Sequence, residues 1–137
     1  MSQFPSHAHL SSWAGVSPGN HESAGKRQSG RTTPGNKWLK SGLSESAWAA
    51  SRTKGTYLQA RYHRLASRRG RKRATMAVAH TLLIIAYHIV KEQCTYNELG
   101  ADYFDRLNEQ YLVKRFTSRI ETLGYRVTLQ KEETLPA

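Results

Sequence analysis

The residues with the richest chemistry lie between positions 21 and 31, in the run His21-Glu22-Ser23-Ala24-Gly25-Lys26-Arg27-Gln28-Ser29-Gly30-Arg31. An imidazole and a carboxylate precede a hydroxyl, and cations follow it. A serine used as a nucleophile on a phosphodiester forms a covalent phosphoester, splitting one hard substitution into two easier ones. Lys26, Arg27 and Arg31, with Lys37 further on, are placed to neutralise the charge that gathers on a pentacoordinate phosphorus. Gly25 lets backbone come close to a phosphate. By spacing alone, a plain phosphate-binding loop is the simpler account, and Ser29 has the same chemistry as Ser23. No Gly-x-x-x-x-Gly-Lys-Ser/Thr pattern appears, which disfavours a nucleotide P-loop.

The charge around this run is concentrated. Fourteen of the 21 Lys+Arg lie in residues 1–73 against two acids, Glu22 and Glu45, giving that half a net charge of +12. Residues 74–137 hold seven bases and eight acids, a net of −1. A field gathered on one half attracts a polyanion better than the same charge scattered. Its densest part is Arg61 to Arg73, where Arg61, Arg64, Arg68, Arg69, Arg71, Lys72 and Arg73 stand without an acid. Each such residue set on a phosphate releases counterion, so this stretch is expected to follow a nucleic-acid backbone. The plainer alternative is a solvated basic face.

Other chemistries fit poorly. His7, His9, His21, His63, His80, His88 and the single Cys94 include no pair at zinc-motif spacing. His80 and His88 read as core histidines. Asp102, Asp105 and Glu98 read as helix-end acids, and the basic half has too few carboxylates for a two-metal nuclease. One cysteine makes no internal bridge, which suits a reducing compartment. At 38% hydrophobic residues and a pI of about 10.2, the 137-residue chain is neither a collagen, a disulfide scaffold nor a membrane-embedded protein. The most apolar run, 74–90, carries Thr75, His80, Thr81 and His88 and falls short of the ~20 apolar residues of a spanning helix. The first residues show no leader pattern.

The elements that must position the loop are helical. Ser6 is placed to cap a helix from His7 to about Ala14. Residues 21–35 lack periodicity and read as a polar, glycine-bearing loop. A helix is expected from Asn36 to about Arg52, with Trp38, Leu39, Leu43 and Ala47 at helical spacing. Thr56 is placed to start another, with Tyr57, Leu58, Tyr62 and Leu65 on one face, ended by Gly70. A long helix over 72–93 is apolar almost all round and is expected to be buried. A final helix over 102–123 would turn Tyr103, Leu107, Tyr111, Leu112, Phe116 and Ile120 inward. Residues 125–129 alternate like a short strand. The expected fold is mostly α, a compact helical domain with a basic glycine-containing loop, a long buried helix and a strand-like C-terminal segment. Residues 1–130 read as one domain, with 4–93 its core, 94–130 a helical extension and 131–137 a disordered tail.

Several motifs also stand in a familiar order. Residues Leu10 to Lys26, the stretch Gly30-Arg31-Thr32-Thr33-Pro34-Gly35-Asn36-Lys37-Trp38-Leu39-Lys40, then Thr53 to Tyr57, Ala79-His80, Ala86-Tyr87-His88, Leu99 to Phe104 and Leu123 to Val127 resemble the C-terminal domain of insertion-sequence transposases of the IS-one-ten type (IS116/IS110/IS902-like). The resemblance covers roughly residues 4 to 129. It implies a DNA recombinase whose loop serine attacks the DNA backbone and holds it as a phosphoserine link. By position that serine is Ser23, before Ala24-Gly25-Lys26. Many proteins of that type show Ser-Gly-Gly or Ser-Ala-Gly here, so Ala24 is a mild departure.

The resemblance further implies DNA and a structured bridge RNA as partners, assembly with itself or with full-length transposase, no membrane, and a bacterial cytoplasmic, nucleoid-associated location. The family's N-terminal RuvC-like domain, with its carboxylates and Mg2+, is not recognisable here. The chain therefore reads as a C-terminal fragment, without a cofactor of its own and inactive alone. The rival reading is a non-enzymatic nucleic-acid-binding module whose loop grips phosphate.

Overall fold

The computed structural model describes residues 3–19 and 21–130, and of Arg27 the backbone. It is 60% helical, with six helices and one two-stranded sheet among the described residues. Their order is α1 (His7–Trp13), β1 (His21–Ser23), β2 (Lys26–Ser29), α2 (Lys37–Ala50), α3 (Tyr57–Arg69), α4 (Arg71–Glu92), α5 (Tyr103–Leu107) and α6 (Glu109–Thr122). The chain divides into two compact units, Met1–Asp102 and Tyr103–Ala137.

In the first unit α4 is the pillar, and α1, α2 and α3 all pack on it. One part of the core joins Ala47 of α2, Leu58 and Tyr62 of α3, and Ala74, Val78 and Ala79 of α4. Alanines at these crossings allow close helix approach, and Tyr62 and Leu58 fill the remaining space. The other part joins Leu10 of α1 and the following Ala14 and Val16 to Leu83 and Tyr87 of α4. The Tyr87 hydroxyl is satisfied there by the carbonyls of Phe4 and Pro5, at 3.1 and 3.0 Å. That bond fastens the N-terminal segment to α4.

The helix starts follow side-chain capping. Asn36 Oδ1 accepts from the Leu39 N–H at 2.9 Å, and Thr56 Oγ1 accepts from the Gln59 N–H at 3.3 Å. Ser6 stands at the start of α1 as expected, but its hydroxyl bonds the ring of His9 at 2.8 Å instead of a backbone N–H. Gly70 both ends α3 and opens α4, at φ 83° and ψ 160°. That conformation is open essentially to glycine alone.

Several expectations are corrected. Residues 21–29 form a hairpin, not an unstructured loop. The long helix is less enclosed than its composition suggests: α4 buries Ala74, Val78, Ala79, Leu83 and Tyr87, but Ile84, Ile85 and Ile89 are half-buried and Val90 is exposed. It is long and apolar enough to cross a membrane, yet here it carries the core. The proposed helix over 102–123 is two helices parted at Asn108, and neither buries a residue. Leu107, Tyr111, Phe116 and Ile120 are exposed, and Leu112 and Tyr103 only half-buried. Residues 125–129 form no strand. Residues 131–137, expected as a disordered tail, lie outside the described residues.

After α4, Gln93 enters the left-handed region (φ 53°) and residues 94–100 run as a strap. The strap and the Thr81–Ile89 face of α4 line a groove of about 310 Å³. Glu98 fixes the strap. Its carboxylate accepts from the backbone N–H of Tyr57 at 2.7 Å, of Gly100 at 3.0 Å, and from the Tyr96 hydroxyl at 2.9 Å. Tyr57 is the first residue of α3, so an acid 41 positions away neutralises that helix start.

Candidate functional site: a serine-tipped hairpin on a glycine neck

The hairpin pairs Ser23 with Lys26 and Glu22 with Arg27, and a register irregularity falls between His21 and Glu22. Two residues, Ala24 and Gly25, make the turn at φ 50° and 73°. Positive φ at both centres defines the type I′ turn, whose twist matches that of paired strands. An alanine there occupies glycine's natural region, at about 1–2 kcal/mol of strain.

Ser23 is exposed at the end of β1, and its side chain makes no hydrogen bond with a described residue. Its cross-strand partner is Lys26, and Cβ atoms of such pairs stand about 4.5–5.5 Å apart on one face. Strand alternation sets the neighbouring Glu22 on the opposite face. Ser29 is already occupied, its Oγ accepting from the Arg31 N–H at 3.2 Å. The two hydroxyls that spacing could not separate are therefore distinguished by their bonding.

The hairpin stands on a pinched base. Gly15 and Gly35 lie back to back at φ 71° and 59°. A Cβ on Gly35 would fall 2.3 Å from the Gly15 nitrogen and 2.4 Å from its Cα, and one on Gly15 would fall 2.7 Å from the Thr33 carbonyl oxygen. Further out, a Cβ on Gly19 would fall 2.2 Å from the Arg31 carbonyl oxygen. Only glycine permits such approach. The Asn36 N–H donates to the Trp13 carbonyl at 3.1 Å, and Lys40 Nζ donates to Thr32 Oγ1 at 3.0 Å and the Thr33 carbonyl at 3.1 Å. The neck thus ties the end of α1 to the start of α2 and fixes both legs of the hairpin. Periodicity could not reveal this, because the paired glycines are twenty positions apart.

The remaining cations fall into two groups. Arg31 is exposed on the returning leg, and Lys37 is exposed at the first position of α2. Arg64, Arg68 and Arg69 are exposed on α3, and Arg71, Lys72 and Arg73 on the first turn of α4, so both arms of the Gly70 elbow are cationic. Arg61 differs from the rest. It is half-buried, gives a hydrogen bond to the Tyr57 hydroxyl at 3.3 Å, and leaves its Nε enclosed without a partner. No hydrogen bond or ion pair joins Ser23 to these cations among the described residues.

His80 is half-buried rather than core, and burial, then the charges of Arg61 and His7, push its pKa down. His88 bonds Glu92 at 2.6 Å one turn on. No cluster of three His, Cys, Asp or Glu able to hold a metal occurs among the described residues, so these residues do not fit the Mg2+ site that the family resemblance implies elsewhere. Tyr96 and Glu98 were missed in the sequence as a pair. Removal from water, then the bond and charge of Glu98, raise the Tyr96 pKa to about 12. For Glu98, desolvation acts upward, but the N–H groups of Tyr57 and Gly100 and the Tyr96 hydroxyl together hold its carboxyl below the ordinary range.

Residues 1–63, which run from before α1 through the neck, the hairpin and α2 into the middle of α3, match a family model of transposases. The model is that of the transposase IS116/IS110/IS902 family, so this segment, a little under half of the chain, is similar to the transposases of that family. Neither the search of curated proteins nor that of solved structures gives a match.

Proposed function

We propose that this chain carries an IS110-type transposase domain that works on DNA, and that Ser23 is its nucleophile. The observation that carries the reading is an exposed, unbonded hydroxyl at a tight turn, opposite a lysine and on a rigid neck. In the reaction, Ser23 Oγ bonds to phosphorus while the bond to the departing strand's oxygen breaks. That oxygen leaves with the electron pair and takes up a proton, and the hydroxyl proton passes to a base. Lys26, with Arg31 and Lys37, stabilises the phosphorane charge. The exposed arginines and Lys72 of the Gly70 elbow hold flanking backbone, in DNA or in a bridge RNA.

The described residues supply no cluster of carboxylates for a metal. In this reading strand transfer uses acidic residues brought by another domain or subunit, and residues 1–130 act as a DNA-binding partner until these arrive. The test is a suicide DNA substrate that traps the covalent intermediate, with an acidic RuvC-like domain supplied in trans. Ser23→Ala removes the protein–DNA adduct, and Ser29→Ala retains it. An adduct that survives Ser23→Ala overturns the assignment. Binding without an adduct in the parent protein instead favours the non-enzymatic phosphate-gripping reading.

A further inference from the structure

Trp38 is the most exposed of the large apolar side chains described, at 85%. The other two tryptophans are engaged. Trp13 packs on Phe4 with ring centroids 5.5 Å apart, and Trp48 carries the Arg52 guanidinium 4.4 Å above its ring. Among the described residues the Trp38 ring has neither an aromatic nor a cationic partner. α2 turns Leu39, Leu43 and Ala47 into the core and leaves Trp38 on the outer face.

The flank of that ring is open as well. A side chain at position 42 would lean back across the turn that bears Trp38, but position 42 is glycine and a Cβ there would meet nothing within 4 Å. Glycine in mid-helix is destabilising, and here no packing contact requires it. The result is a bare indole beside open helix surface, with Lys37 next to it and Lys40 of the same turn bonded into the hairpin neck. A bare planar, electron-rich ring on the basic half of the chain suits a flat partner that belongs to a negatively charged strand.

We infer that Trp38 is a stacking platform for an unpaired nucleobase of the strand this domain engages. The inference rests on the nucleic-acid reading above and adds the ligand class, an unstacked base of single-stranded DNA or RNA. Stacking needs a free π-face, which a duplex does not offer.

The experiment measures binding of dye-labelled oligothymidylate, oligouridylate and a blunt DNA duplex to the full chain and to Trp38→Ala, Trp38→Phe and Trp38→Leu. Trp38→Ala should weaken single-strand binding about 5- to 150-fold, the range for one base on one ring. It should leave the salt slope unchanged, since no charge is lost, and leave duplex binding within about twofold. Trp38→Phe should restore most of the affinity and Trp38→Leu none. The tighter of the two single strands names the source. Single-strand binding unchanged in Trp38→Ala, or rescued by Trp38→Leu, overturns the inference alone. A parent protein that binds no nucleic acid overturns the underlying reading too. Circular dichroism melts check that the variants fold, which the exposure of Trp38 leads one to expect.

Discussion

Two glycine-to-alanine substitutions in the same domain should move stability in opposite directions, and the structure says by how much. At Gly35 the new Cβ would lie 2.3 Å from the Gly15 nitrogen, where ordinary contact begins at 3.4 Å, so the neck must open by about 1 Å. Overpacking of this kind costs about 1–3 kcal/mol. The backbone angle, φ +59°, adds about 1–2 kcal/mol for an alanine. Gly35→Ala should therefore lose about 2–5 kcal/mol. For a domain of this size, 1 kcal/mol shifts the melting midpoint by about 4–8 °C, so a fall of at least about 10 °C is expected. At Gly42 the added methyl meets nothing, and alanine is the better helix former by about 1 kcal/mol. Gly42→Ala should melt about 4–8 °C higher than the parent. Thermal unfolding followed at 222 nm reads both. If Gly35→Ala melts within about 2 °C of the parent, or the two variants shift in the same direction, the glycine neck is not what holds the hairpin.

Three further outcomes are expected. Ala24→Gly relieves the positive-φ alanine of the turn and should raise amide-exchange protection across residues 21–29, whereas Ala24→Val should abolish it. Glu98→Ala removes a cap from α3 and should cost about 1 kcal/mol, with faster exchange over 94–100. Because the Glu98 carboxyl titrates below its unfolded value of 4.5, its contribution is present above about pH 4.5 and is lost as pH falls through the lower folded value. The raised Tyr96 pKa works in the other sense, present below 10 and lost as pH rises to about 12, which phenolate absorbance follows. On the elbow, Arg68→Ala or Lys72→Ala should each lower the slope of log affinity against log salt by about one, while Arg61→Ala should act mainly through stability, since its guanidinium is half-buried.

The helices α2, α3 and α4 were legible because each joins an apolar periodicity to a recognisable boundary: Asn36 and Thr56 as caps, Gly70 as the break. The hairpin escaped notice because β1 and β2 are three and four residues long and exposed, so they show no apolar alternation. The available signal was the residue pair Ala24-Gly25 between two polar runs, an X-Gly turn with alanine where asparagine is usual. The helix over 102–123 was misjudged for a different reason. Its apolar spacing is real, with Leu112, Phe116, Ile120, Val127 and Leu129 lining an open groove of about 430 Å³, but spacing does not say whether anything covers it. Ser23 is singled out by its neighbours in sequence. Its bonding state, the cation across from it and the displacement of Glu22 to the far face are products of pairing, which composition does not encode. Glu98 read as a helix-end acid, and so it is, but the helix it serves lies 41 positions earlier.

Because Gly15 and Gly35 already touch, the nineteen residues from 16 to 34 form a cassette whose two ends meet whatever lies between them. Closing a loop of twice the length costs only about 0.6 kcal/mol more. The helical chassis can therefore accept tips of other sizes and sequences without refolding. The two glycines are fixed by contact, as are Val16 in the core, Gly19 against Arg31, and Thr32 and Thr33 under Lys40, whereas the length of chain between those anchors can change.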